Sequence, residues 1–327
     1  MPVRHNIFND AAARDGFVRG VLALNREPAD LDTAGLGIPG PNTALTTWDL
    51  FVLWHYFTMQ TATPPGSERN AAHRAPVFLP WHRWMLLILE TQLQRVLNDA
   101  DFGLPYWDWT ADGDQPATQQ PSLALWQHLG GTGFPVADGP FAFDPNDPRS
   151  FRVRVAEDVR TGQLQATDRG LWRDLAQDQS VHALPTSADL AASLGHTRYD
   201  DSPYDRTSID SFRNHLEGWR GADGPGMHNR VHVWVGGDMG PGTSPNDPVF
   251  YLNHCNVDRL WEAWMTQRGR HYQPDNTAPD ALFRQRLDDP LLSSLTEEQP
   301  LISQTLDLTQ LVDPARVPTY DALPAIP

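Results

Sequence analysis

Six of the twelve histidines fall into two triplets: His55, His73 and His82, then His228, His232 and His254. Three neutral imidazoles for each of two metals, with no thiolate or carboxylate in either set, make a ligand inventory for copper or zinc. A zinc hydrolase with two helix-borne histidines carries a glutamate between them as general base. Here Asn229, Arg230 and Val231 separate His228 from His232, so no carboxylate stands ready to activate water. A structural zinc site is closed and usually thiolate-rich, and Cys255 is the one cysteine. Copper is favoured. A pair of copper ions held this way keeps open positions for O2 and supplies two electrons at once, which suits two-electron oxidation of an aromatic substrate. A lone histidine in a tryptophan-rich helix is ordinarily a hydrogen-bonded core residue, and the repetition of the triplet is what argues for metal.

The elements that must position these rings are legible in the hydrophobic pattern. Residues 10–26 predict an amphipathic helix with Phe17, Val18, Val21, Leu22 and Leu24 on one side. TTWDLFVLWHYFTMQ predicts a second helix containing His55, with Thr46 or Thr47 as N-cap. Residues 61–76 form an expected loop bearing His73, and LPWHRWMLLILETQLQRVL a helix with Pro80 and His82 near its start. Residues 111–225 are rich in Gly, Pro, Asp and Gln and predict long loops with short strands. His228 and His232 lie four apart and so share one helix face. SPNDPVFYLNHCNVDRLWEAW predicts a further helix carrying His254, capped by Asn246 or Asp247 with Pro248 in its first turn. The chain after about residue 285 reads as extended strand and turn. Four helices converging with inward histidines are the arrangement that bundle-core dimetal sites use.

Composition narrows the partners. The chain has 327 residues and a formal net charge of -16. That charge argues against nucleic acid or an anionic membrane surface, both of which need a basic footprint. No run approaches the roughly 18 apolar residues of a membrane span. The N-terminal stretch lacks the pattern of a secretory signal, so the expected location is cytoplasmic, with export on a partner protein as the other route. A single cysteine forbids an intramolecular disulfide, and Cys255 reads as a buried thiol rather than a redox group.

The blocks FLPWHRWMLLILE, LPYWDWT, FRNHLEGWRG, MHNRVHVWVGGDM and SPNDPVFYLNHCNVDRLWEAW, with the histidine spacings, resemble the tyrosinase family of type-3 copper proteins. The resemblance runs from about residue 3 to 270 and is nearest to the compact bacterial members. It implies a mainly α fold, a four-helix bundle housing a dinuclear copper site, with long loops and minor β. It assigns His55, His73 and His82 to one copper and His228, His232 and His254 to the other, with O2 as co-substrate. Residues 1–327 are expected to form one catalytic domain without a C-terminal lid domain. Asn70, Ala71 and Ala72 precede His73, so the thioether that some relatives form there is absent.

The resemblance implies oxidation of phenols: hydroxylation of monophenols and oxidation of o-diphenols to o-quinones. An o-aminophenol or catechol oxidase with little hydroxylase activity is the alternative, and an O2-binding copper protein without turnover is the alternative from another class. A separate protein delivering copper is a possible partner. Glu217 and Asn229 resemble the pair that holds a water as base for a bound phenol, whose free pKa is near 10. The ADGPG stretch lengthens the interval between Glu217 and His228. Asn253 stands where most relatives have a second adjacent histidine, a group behind the ligands or in the pocket beside the second copper, and its amide points to altered substrate handling more than altered copper binding. Thr243 and Val233 are expected at the pocket, Thr243 leaving its entrance open. His215 is assigned a structural role, and Asp258 a packing role through a neighbouring backbone group or Arg259.

Overall fold

A computed structural model describes residues 1–219 and 224–326. Its helices in chain order are α1 (Ala11–Leu24), α2 (Thr47–Gln60), α3 (Phe78–Leu97), α4 (Trp109–Gly113), α5 (Ala124–Leu129), α6 (Ser187–Leu194), α7 (Phe212–Glu217), α8 (Met227–Val235) and α9 (Val249–Arg268). Strands are few: β1 (Val3–Arg4) pairs parallel with β6 (Thr319–Tyr320), β2 (Pro28–Asp32) antiparallel with β3 (Ala44–Thr46), and β4 (Val153–Asp158) antiparallel with β5 (Gln163–Arg169). The mainly helical reading therefore holds, and α2, α3, α8 and α9 are the four helices that carry metal-competent histidines. None of the helices among the described residues is long and apolar enough to cross a membrane.

Local chemistry explains the helix starts. The Thr46 backbone N–H and Oγ1 both donate to Asp49 Oδ2, at 2.8 and 2.6 Å, so a threonine cap starts α2. In α3, Pro80 occupies the first turn, where its missing N–H costs nothing, and Asn98 closes the helix in the left-handed region at φ 52°. At α9, Asp247 Oδ1 accepts from the Val249 N–H at 2.9 Å and Pro248 directly precedes the helix.

Every residue of α9 from Val249 to Trp261 is buried. A helix buried all round must satisfy its polar members internally. Asp258 does so far from its own neighbourhood: Oδ1 accepts from Arg83 Nε of α3 at 2.5 Å, while Oδ2 accepts from Arg4 Nη1 of β1 at 2.9 Å and the Tyr320 hydroxyl of β6 at 2.6 Å. This corrects the sequence-based expectation of a partner at Arg259, whose guanidinium instead reaches Asp108, Asn256 and the Ala322 carbonyl. Burial opposes ionisation of Asp258, but Arg83 and Arg4, with the Tyr320 hydroxyl, outweigh it and hold the carboxyl below the usual range. One carboxylate thus ties both ends of the chain to the two longest helices.

The long middle segment is looped, as predicted, and its β4–β5 hairpin has a supporting job. Glu157 of β4 accepts from the Gly242 N–H at 2.6 Å and donates its own N–H to Thr243 Oγ1 at 3.1 Å. The hairpin thereby fixes the turn between α8 and α9. The tail after residue 285, expected as extended strand and turn, runs mainly as turns, bends and irregular chain, with short 3-10 turns at Ile302–Leu306, Leu308–Gln310 and Pro314–Arg316 and β6 as its strand.

Candidate metal centre

The first triplet is held by backbone carbonyls. His55 Nδ1 donates to the Gly242 carbonyl at 2.7 Å, and His82 Nδ1 to the Phe78 carbonyl one turn back in α3 at 2.8 Å. A carbonyl can only accept, so Nδ1 carries the proton on both rings and Nε2 presents a lone pair. Neither Nε2 finds a partner among the described residues although both are buried. His73 sits on the loop between α2 and α3. There Asn70 Oδ1 accepts from the backbone N–H groups of Ala72 and His73, at 3.0 and 2.6 Å, and pins the turn. The three rings meet edge to face, with centroids 5.1 Å (His55–His73) and 4.7 Å (His73–His82) apart.

The second triplet repeats the device. His232 Nδ1 donates to the Met239 carbonyl at 2.6 Å, leaving Nε2 unpaired, and His228 Nδ1 lies 3.2 Å from the Glu217 carbonyl and 3.1 Å from Asn229 Oδ1. His228 Nε2 and His254 Nε2 face each other at 3.0 Å. Two ring nitrogens at that separation repel unless a proton or cation lies between them. Metal–nitrogen bonds of roughly 2.0–2.1 Å place two ligands of one ion about 3 Å apart, so the pair fits a shared metal. Within each triplet the ligand-capable nitrogens all lie within 4.8 Å of one another. The two triplets touch through His82 and His254, stacked with centroids 4.1 Å apart and planes 12° from parallel.

Burial pushes all six imidazoles below their ordinary pKa, His55 to about 3 and His232 to about 4. Neutral, oriented lone pairs without protein partners are what soft or borderline cations require, and the donor set fits two copper ions.

Above the histidines opens a cleft of about 600 Å³. His55, His73, His228 and His232 form its floor, and Met59, Val233, Pro241, Asn229, Arg74 and Trp219 are among its walls. Val233 and Asn229 thus both border the cleft. Thr243 does not. Its side chain is buried and accepts from the Glu157 N–H, while Gly240, Pro241 and Ser244 of the same turn face the cleft. Asn253 is likewise off the cleft wall. Its place on α9, one residue before His254, turns it about 100° away from the metal face, into a fully buried setting where neither amide atom meets a partner among the described residues.

Glu217, at the end of α7, is buried and doubly held: Oε1 accepts from the Arg74 N–H at 2.6 Å and Oε2 from Arg213 Nη1 at 2.9 Å. Burial raises its pKa, opposed by Arg213 and the Arg74 N–H. Gly218 then turns the chain at φ +105°, where a Cβ would stand 2.1 Å from the Gly226 carbonyl oxygen and 3.0 Å from Asn229 Cβ. The Gly226 N–H donates to the Gly218 carbonyl at 2.9 Å. That clasp brings Glu217 beside His228 and Asn229 across the lengthened interval, of which residues 220–223 lie outside the described residues. His215 stacks on His196 with centroids 3.9 Å apart and is not among the described residues that line the cleft. Burial pushes the Cys255 thiol up to about 12, and Sγ donates to the Leu104 carbonyl at 3.3 Å. It is an inert core thiol. Sequence reasoning missed Arg74, Trp219 and the carbonyls of Gly242 and Met239. The first two sit next to recognised residues, but the carbonyls carry no signal in residue type.

Two imidazole triplets, five rings on helices and His73 on a loop, beneath an open apolar cleft define a dinuclear metal protein of the helix-bundle kind. Residues 45–267 match the family described as the common central domain of tyrosinase, and the chain belongs to the tyrosinase family, whose members are type-3 dicopper proteins. It is 44% identical to a tyrosinase of Streptomyces glaucescens over 72% of this chain and 78% of that one. A polyphenol oxidase of Thermothelomyces thermophila shares the fold at a TM-score of 0.66 and 22% identity, over 94% of this chain and 86% of that one. A functional unit of octopus hemocyanin does so at 0.53 and 18%, over 99% of this chain and 69% of that one.

Proposed function

We propose that this protein is a dicopper phenol oxidase that uses O2 to hydroxylate monophenols and to oxidise o-diphenols to o-quinones. The observation that carries the reading is the pairing of unpartnered, inward-facing histidine nitrogens with an apolar cleft that reaches them from solvent. His55, His73 and His82 would hold one copper and His228, His232 and His254 the other. The bound metals supply O2 binding and a two-electron couple.

The chain's own residues do the rest. Met59, Val233 and Pro241 give a phenol ring apolar walls, so burial rather than hydrogen bonding holds the ring. The carbonyls of Gly242, Phe78 and Met239 fix the tautomers of His55, His82 and His232 and keep each Nε2 aimed inward. Glu217 and Asn229 share His228 as a neighbour. Oε1 of Glu217 accepts from the Arg74 N–H and Oε2 from Arg213 Nη1, and a carboxylate oxygen has a second lone pair with which to accept. A water shared between Glu217 and the Asn229 amide is the proposed acceptor of the phenol proton, as the raised pKa of a buried carboxylate suits a general base.

The deciding experiment loads the chain with copper and supplies a monophenol, an o-diphenol and an o-aminophenol, following quinone absorbance and O2 uptake. Quinone from the first two is the expected outcome. Product from the diphenol alone would remove the hydroxylase part of the proposal, and reversible O2 binding without any product would overturn the enzyme reading.

A further inference from the structure

Arg74 is the one residue with a formal charge among the described residues that line the cleft. It follows a floor histidine, His73, and its backbone sits in the left-handed region at φ +58°. That strained turn is fixed by its N–H donating to Glu217 Oε1 at 2.6 Å. Its guanidinium lies over the Trp219 ring, 5.3 Å from the centroid, and pairs with no carboxylate among the described residues. Most other buried or half-buried arginines of this protein are tied to acids: Arg4 to Glu90 and Asp258, Arg83 to Asp258 and Glu262, Arg173 to Asp247, Arg213 to Asp200 and Glu217. A cation pre-oriented on an aromatic face, facing a cleft and lacking an acid, has its in-plane N–H fork open to an anion.

We propose that Arg74 is a specificity-determining residue that anchors a carboxylate on the substrate, so that the enzyme prefers phenols bearing a ring-linked carboxylate over those bearing an amine. The inference rests on the phenol-oxidase reading of the same cleft. A phenol whose hydroxyl faces the histidine floor directs its para substituent toward the mouth. A carboxylate on a short alkyl arm there accepts two N–H groups from the guanidinium, whereas an ammonium meets a like charge.

The test compares hydrocaffeate, its neutral methyl ester, dopamine and methylcatechol as substrates of the copper-loaded parent and of Arg74→Gln and Arg74→Lys. Alongside, calorimetric binding of phloretate and tyramine is measured under argon, where no turnover occurs. Hydrocaffeate is expected to have a KM about tenfold below that of dopamine and clearly below that of its ester. In Arg74→Gln the KM for hydrocaffeate should rise about tenfold more than that for methylcatechol, and Arg74→Lys should recover part of the difference. Under argon, phloretate should bind about tenfold more tightly than tyramine, in an Arg74-dependent way. Equal KM values for hydrocaffeate and its ester in the parent would overturn the proposal, even were both variants to fail to fold. So would a KM increase in Arg74→Gln of the same size for every catechol. Failure of all catechols to react would instead sink the oxidase reading, and the argon binding comparison would then decide the role of Arg74 alone.

Discussion

Replacing Asp258 by Asn removes one negative charge from a site where two buried guanidinium groups and a phenol converge. Arg4 is left with Glu90, and Arg83 with the more exposed Glu262 and the Thr305 carbonyl. Breaking a buried pair by removing one partner costs about 3–5 kcal/mol, because the remaining charge stays desolvated. Unfolding entropy of roughly 2.1 cal/mol/K per residue amounts to about 0.7 kcal/mol/K for this length, so the loss corresponds to a melting point lower by about 4–7 °C. Circular dichroism melts of parent and variant would measure it. The pH dependence has a defined sign. Asp258 has a depressed folded-state pKa, so its stabilisation is fully present above the unfolded value near 3.9 and disappears as pH falls through the folded value. The gap between parent and variant should therefore be constant from neutral pH to about pH 5 and close in stronger acid. A gap below about 2 °C at neutral pH, or one that widens on acidification, would refute the claim that this carboxylate fastens the two chain ends to α3 and α9.

Three further substitutions probe the centre. His232→Gln should lower bound copper from two ions per chain toward one, read by elemental analysis after dialysis; retention of both would mean that His232 is not a ligand. Glu217→Gln should slow monophenol hydroxylation on the order of 100-fold while o-diphenol oxidation changes by less than about threefold, and parallel losses in both would point to a structural role in the Arg213 pair. Asn253→Leu should melt higher than the parent, by about 1 kcal/mol of added stability, because it removes a buried amide with no partner among the described residues. A shift in the ratio of monophenol to o-diphenol rates in that variant would restore Asn253 to a substrate-directing role.

How far the site could be read in advance followed the range of the interactions involved. The helices bearing His55, His82 and His254 announce themselves through apolar runs and local caps, Thr46 with Asp49 and Asp247 with Val249, which depend on residues two or three apart. The His228–His232 pair is legible for the same reason. Thr243 was misplaced because a turn's direction depends on what holds it, here a β-hairpin some 85 residues earlier in the chain. Asp258 was misread because its partners come from both ends of the chain. The 3-10 turns of the tail follow the surface they cover, and no periodicity encodes that surface.

The sequence by itself determined the donor chemistry: six imidazoles, the absence of a glutamate between His228 and His232, and a lone cysteine leave copper favoured. Helical periodicity also settled which of them share a face. Only the tertiary structure decided that each triplet closes to within 4.8 Å, that distant carbonyls at Gly242 and Met239 select the tautomers, and that Glu217 reaches His228 around Gly218. It likewise decided which residues face the cleft, turning Thr243 of the α8–α9 turn and Asn253 of α9 away and bringing Arg74 in. The physical reason is the same throughout. Residue type and period fix what a side chain can do and which side of its own element it occupies. Whether it meets a partner depends on backbone groups and charges that folding brings from tens to hundreds of residues away.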